Sequence, residues 1–295
     1  MYRLALGVLL MLSSFAAAAE PIAKNDIVYA TVGGEKLQLD MVVPQAEAPL
    51  PCVLFLHGGA WKSGSRKDLS RPSFYDTGAP GKCLLDVFAA RGFIAVSVSY
   101  RLVPKDRFPA QIQDVRTAIR FLRLNAKEYN VDPDRIGVAG FSSGGHLAAL
   151  AGTAPKDPEF DGLLYPEQSS RVQCVVDFFG PADLSLYGET PGVEQAVIVP
   201  LMGATSKANP ALYKKASPLE HVTKDSPPFL IIHGTADIIV PTIHSERLHA
   251  KLRAAGVESE LLVLKGRGHG WGGEDSLMTS AAAVKFLTAH LGKAK

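Results

Sequence analysis

Gly140-Phe141-Ser142-Ser143-Gly144-Gly145 stands between the apolar run Ile136-Gly137-Val138-Ala139 and the helix-forming stretch His146-Leu147-Ala148-Ala149-Leu150. A serine at a sharp strand-to-helix turn needs a backbone conformation that neighbouring side chains would obstruct, and the flanking glycines remove them. The turn lifts the hydroxyl out at the edge of the sheet. The following helix aims free backbone N–H groups at the same point. Ser142, at the centre of the pattern, is the candidate nucleophile. Ser143 is expected to lend its backbone N–H to an oxyanion site. An ordinary tight turn would carry glycines too, but would not require a strand before it and a helix after it.

Outward from this turn the chain alternates between two kinds of segment. Residues 53–56, 94–99, 136–140, 172–179, 229–233 and 258–264 read as strands, most of them continuous apolar runs. Residues 84–91, 110–128, 144–150, 242–255 and 277–291 read as helices. Apolar strands separated by helices predict a mostly parallel sheet covered on both faces. Residues 26–32 and 36–43 instead alternate apolar and polar around Gly33-Gly34, which predicts an N-terminal β-hairpin. Residues 63–81, 155–170 and 188–228 fall outside the rhythm, and the third is the expected lid or pocket wall. No internal repeat or linker divides the chain, so residues 20–295 are expected to form a single catalytic domain.

A hydroxyl nucleophile needs a base, and the base needs a carboxylate to orient it. Asp237 lies four residues beyond the strand-like Phe229-Leu230-Ile231-Ile232-His233. Asp225 precedes that strand, Asp177 lies inside an earlier one, and Asp183 follows one strand too early. Among eight histidines, His269 alone sits in a glycine-rich loop after the last strand (Gly266-Arg267-Gly268-His269-Gly270). His233 reads as a strand residue and His221 lies before that strand, while His146, His244, His249 and His290 lie in helices. The expected triad is Ser142, Asp237 and His269. After the first core strand comes His57-Gly58-Gly59-Ala60-Trp61, whose glycines let backbone donors approach a developing oxyanion. Gly59, Ala60 and Ser143 are therefore the expected oxyanion donors. His57 reads as a structural histidine, and Trp61 and Trp271 as candidate pocket walls.

The 47% hydrophobic and 20% charged residues of the 295-residue chain suit a large core. A formal charge of +2, spread evenly, offers no stripe for nucleic acid and no polybasic run for an anionic membrane. No metal motif, phosphate loop or dinucleotide pattern occurs, so no cofactor and no metal is implied. Met1-Tyr2-Arg3, an apolar stretch from Leu4 to Leu12, and Ala17-Ala18-Ala19 make residues 1–19 an expected signal peptide. That stretch is shorter than the roughly 20 apolar residues of a spanning helix. A secreted or periplasmic protein is therefore expected. Its cysteines, Cys52, Cys83 and Cys174, are odd in number, so at least one thiol lacks an intrachain partner.

With these residues assembled, the chain resembles an α/β-hydrolase of the bacterial feruloyl- and acetyl-esterase-like branch, related to the hormone-sensitive-lipase esterases. The resemblance runs through residues 57–64, Tyr100-Arg101-Leu102 with Phe108-Pro109-Ala110 and Asp114, Asp132-Pro133-Asp134-Arg135-Ile136, residues 140–149, Ser217-Pro218, residues 227–241 and Gly268-His269-Gly270. It implies a serine esterase acting on acyl groups of plant polysaccharides or on small esters. The short hairpin segment ahead of His57 leaves no room for the helical cap usual in hormone-sensitive-lipase relatives. Two rivals share the motifs: an amidase, peptidase or arylformamidase-like hydrolase on the same triad, and a non-catalytic binding protein of the same fold.

Overall fold

A computed structural model describes residues 20–72, 81–154, 157–162 and 164–292; the expected signal peptide lies outside them. Eight strands of the described residues form one sheet in the order β1-β2-β4-β3-β5-β6-β7-β8. They are β1 (Ile22–Val32), β2 (Glu35–Val43), β3 (Leu50–Leu56), β4 (Ile94–Val98), β5 (Val131–Phe141), β6 (Val175–Phe178), β7 (Phe229–Gly234) and β8 (Ser259–Leu264). β1 and β2 form the expected antiparallel hairpin, and β2 runs antiparallel to β4. Every pairing from β4 through β8 is parallel.

Strand chemistry explains the layering. All seven residues of β3 are buried, as a strand covered on both faces requires. Leu54 and Leu56 point to one face, joining a core with α2 (Ala110–Leu124), α3 (Ser143–Thr153) and α4 (Ile243–Ala254). Val53 and Phe55 point to the other, joining α1 (Leu84–Ala89) and α5 (Glu274–Leu291). The expected α/β class, a mostly parallel sheet with helices on both faces and an N-terminal hairpin, is the one observed.

Three boundaries differ from expectation for local reasons. The helix expected over 110–128 stops at Leu124 and restarts at Ala126. At the break the Asn125 side chain donates to the Phe121 carbonyl at 2.8 Å, in competition with the helix's own bonding. β5 begins five residues earlier than expected, at Val131. Its pairing with β3 jumps from Leu50–Val131 to Cys52–Ile136, an irregularity that accommodates Pro133, which has no N–H to give. β6 is shorter than expected and ends where Phe179 takes φ 46°.

Residues 188–228 contain short helical turns, among them Val199–Met202 and Pro210–Ala216, with Ile198, Leu201, Tyr213 and Ala216 buried in the core. Buried His146 Nε2 meets the Ala216 carbonyl at 2.7 Å. All three cysteines are unpaired and buried. Among the described residues no helix is long and apolar enough to cross a membrane.

Candidate active site

The carboxyl ends of β3, β5, β6, β7 and β8 lie side by side, and the loops leaving them carry His57, Ser142, Phe179, Asp237 and His269. Ser142 has φ 55° and ψ −119°, a conformation an L-residue holds only when its surroundings impose it. Here they do. The Ser142 N–H donates to the Phe178 carbonyl at 2.9 Å, and its own carbonyl accepts from His146 N–H at 3.0 Å. A Cβ at Gly140 would overlap the Gly144 carbonyl, and one at Gly144 would overlap the Leu56 carbonyl. The glycines are what let strand, turn and helix close on one another.

His269 Nε2 stands 2.8 Å from Ser142 Oγ, and His269 Nδ1 stands 2.7 Å from Asp237 Oδ2. The structure thus brings the three expected side chains into one hydrogen-bonded line. Asp237 Oδ1 accepts from the backbone N–H of Ile239 and Val240, each at 2.9 Å. Burial alone would raise the Asp237 pKa. Donors from His233, His269 and Val240 outweigh it and hold the carboxyl well below the usual carboxylate range.

Gly58 packs against the turn: a methyl there would stand 3.1 Å from the Phe141 carbonyl oxygen and 3.3 Å from Ser142 Cβ. This contact sets the following Gly59 and Ala60 beside Ser142, and all three line an open cleft of about 940 Å³ together with His269 and Trp271. Gly59 and Ala60 take φ 112° and 53°; Ser143 is the first residue of α3, a position whose N–H has no acceptor inside its helix. His57 is buried, stacked on Tyr100 at 4.3 Å, with Nδ1 2.7 Å from the Gly58 carbonyl. Burial lowers its pKa, which suits a neutral ring holding the loop.

Two expectations about the pocket are corrected. Trp61 does not wall the cleft: it is 2% exposed and packs edge-on to His146, 5.0 Å between centroids, under the loop. Its φ of 56° turns it inward. Residues 188–228 contribute no residue to the described lining of the cleft, where Ile239 appears instead, because the segment packs down onto the core.

Three residues here escaped sequence reasoning. His233 Nε2 lies 2.7 Å from the Val240 carbonyl and 3.2 Å from Asp237 Oδ2, and its Nδ1 lies 2.6 Å from Ser245 Oγ. It backs Asp237 from the side opposite His269. Phe179 sets its ring edge-on to His269, 4.8 Å between centroids. Asp177, fully buried on β6, accepts from the Gly180 N–H at 2.8 Å with Oδ1.

Burial raises the Asp177 pKa from 3.8 to about 6. The folded state therefore holds this proton more tightly than the unfolded chain. The resulting stabilisation is complete below the unfolded value and is lost as pH rises through about 6. Asp177→Asn, which can still accept from Gly180 and does not titrate, is expected to gain about 2–3 kcal/mol on the parent between pH 4 and pH 8. Urea unfolding at pH 4 and pH 8 checks this: the advantage should grow with pH, and one independent of pH contradicts it.

The model of the BD-FAE family matches residues 39–252, a span that holds Ser142 and Asp237 and ends before His269. Esterase LipC of Mycobacterium tuberculosis is 34% identical over 241 residues, covering 80% of this chain and 56% of the relative. Esterase LipQ of the same organism is 34% identical over 242 residues, covering 79% and 53%. The chain thus spans about half the length of these curated relatives. Among solved structures, a truncated carbohydrate esterase from gut microbiota superposes with TM-score 0.78 at 30% identity, covering 94% of this chain and 99% of that one. An acetyl ester-xyloside bifunctional hydrolase from Caldicellulosiruptor lactoaceticus gives TM-score 0.73 at 25% identity, covering 91% and 97%.

Proposed function

Because the chain belongs to the BD-FAE family and has the α/β-hydrolase fold, we propose that it is a carboxylic-ester hydrolase working through an acyl-enzyme on Ser142. The observation that carries this is the unbroken line Ser142 Oγ, His269 Nε2, His269 Nδ1, Asp237 Oδ2, with contacts of 2.8 and 2.7 Å. His269 takes the serine proton as Oγ attacks the ester carbonyl, and later returns it to the departing alcohol. Asp237 fixes the ring tautomer and stabilises the imidazolium. The N–H groups of Gly59, Ala60 and Ser143 receive the oxyanion, and loss of one such donor typically costs about 3 kcal/mol. Water then repeats the attack and frees the acid.

The names of the structural relatives, a carbohydrate esterase and an acetyl ester-xyloside hydrolase, favour an acylated polysaccharide or small acylated sugar as substrate. Export fits such a substrate, and the charged start, apolar stretch and alanine exit of residues 1–19 support it. Acetate release from acetylated xylan, with p-nitrophenyl acetate and p-nitroacetanilide in parallel, tests the reading. Turnover of both esters with little of the anilide is expected. Preferred cleavage of the anilide would favour an amidase, and turnover of none a binding protein.

A further inference from the structure

Asp237 sits on a loop whose tip reaches into solvent. Ahead of the acid, the Ala236 N–H donates to the Arg267 carbonyl at 2.8 Å, which ties this loop to the one carrying His269. The two residues after the acid, Ile238 and Ile239, are 92% and 55% exposed. Apolar side chains left in water bury little surface and so anchor nothing. Yet the Asp237 side chain is fully buried and has to stay aimed at His269. What holds the far side of the loop must therefore act at Val240, where the chain returns to the interior at 3% exposure.

His233, buried near the end of β7, closes the loop there. Its Nε2 lies 2.7 Å from the Val240 carbonyl oxygen and 3.2 Å from Asp237 Oδ2. A carbonyl can only accept, and so can the carboxylate, which its donors keep ionised. Nε2 therefore carries the ring proton and shares it between the two oxygens. On the other side of the ring, Nδ1 lies 2.6 Å from Oγ of Ser245, a buried residue in the first turn of α4. A hydroxyl proton given to Nδ1 keeps the ring proton on Nε2.

Asp237 Oδ2 thus lies between two imidazoles, His269 Nδ1 at 2.7 Å and His233 Nε2 at 3.2 Å. The first ring goes on to Ser142. The second is fully buried and does not line the cleft, so any effect it has on the chemistry passes through the acid. We propose that His233 is a positioning residue for the reaction: it clasps residues 237–240 onto β7 and fixes the Asp237 carboxylate against His269, while Ser245 selects the tautomer able to do so.

This rests on the ester-hydrolase reading, and the test separates the two. Rates of phosphonylation by p-nitrophenyl methylphosphonate, and kcat and KM on p-nitrophenyl acetate, are measured for His233→Phe, His233→Gln and Ser245→Ala. Each substitution is made in the parent and in Asp237→Ala. Phenylalanine keeps a ring without an N–H, whereas glutamine can place an amide N–H near the position of Nε2. His233→Phe is expected to lower kcat and phosphonylation by about 10- to 100-fold with KM little changed, the scale on which small misplacements slow a reaction. His233→Gln should lose less, and Ser245→Ala about 10-fold. On Asp237→Ala none should slow the reaction by more than about twofold further, because the group through which His233 acts is gone. Single variants at parental rates overturn the proposal. So does a loss of equal size with and without Asp237, the mark of a merely structural role. Should the phenylalanine variant not fold, the glutamine and Ser245→Ala cycles decide by the same criterion. Either result leaves ester hydrolysis standing, provided that the parent is phosphonylated and turns over the ester. A parent that does neither overturns that reading, and this one with it.

Discussion

Ser142→Ala is expected to lower kcat on p-nitrophenyl acetate by on the order of 10⁶ while the protein stays folded. The size of the effect follows from the chemistry: without Oγ no acyl-enzyme forms, and His269 and Asp237 have no proton to move. What survives is the oxyanion site and substrate binding, enough for a small enhancement over water. The fold should tolerate the change. Alanine keeps the Cβ, and the φ of 55° and ψ of −119° at this position burden either residue alike. Ser143→Ala is the control, since that position is asked only for its backbone N–H. Steady-state kinetics beside a far-ultraviolet circular dichroism spectrum checks both. A folded alanine variant at position 142 with near-parental turnover would refute the nucleophile.

The second large effect is expected at Asp237. Asp237→Asn should lower kcat by about 10⁴ with little change in binding, because an amide can present an N–H to the ring and favour the wrong tautomer. It also leaves the imidazolium without its counter-charge. The hydrogen bonds from His233, His269 and the Val240 N–H keep this carboxylate ionised far into the acid range. Loss of activity in mild acid is therefore not expected to come from its protonation. A pH–rate profile of parent and variant, with kcat and KM resolved separately, tests this. An Asp237→Asn enzyme within tenfold of the parent would move the acid elsewhere, Asp183 and Asp177 being the other acids near these strand ends.

The sheet and the chemistry-bearing loops were legible because their signals are local. β3 and β7 are continuous apolar runs, Gly33-Gly34 marks the hairpin, and the glycines around Ser142 are needed to let α3 reach Leu56. The chain order serine, aspartate, histidine, each beyond its own strand, anticipates that 142, 237 and 269 meet. What escaped is set by backbone turns and packing. Nothing in Val175-Val176-Asp177-Phe178-Phe179 announces that Phe179 leaves the strand at φ 46° to press on His269. The same holds for Trp61, which a left-handed backbone turns inward. His233 looked like an ordinary strand residue; its spacing of four from Asp237 across the strand end was the one available hint. Residues 188–228 lack periodicity because their short turns each bury a few side chains, which hid that the segment packs on the core and leaves the cleft wall to Ile239.

One hydroxyl, that of Ser142, is expected to become acylated. Incubation of the protein with a p-nitrophenyl phosphonate, followed by proteolysis and peptide mass mapping, tests it most directly. A single adduct is expected on the peptide holding Ser142, absent from Ser142→Ala and slowed in Asp237→Asn. An adduct on any other serine, or ester turnover that continues when Ser142 carries the phosphonate, would contradict it.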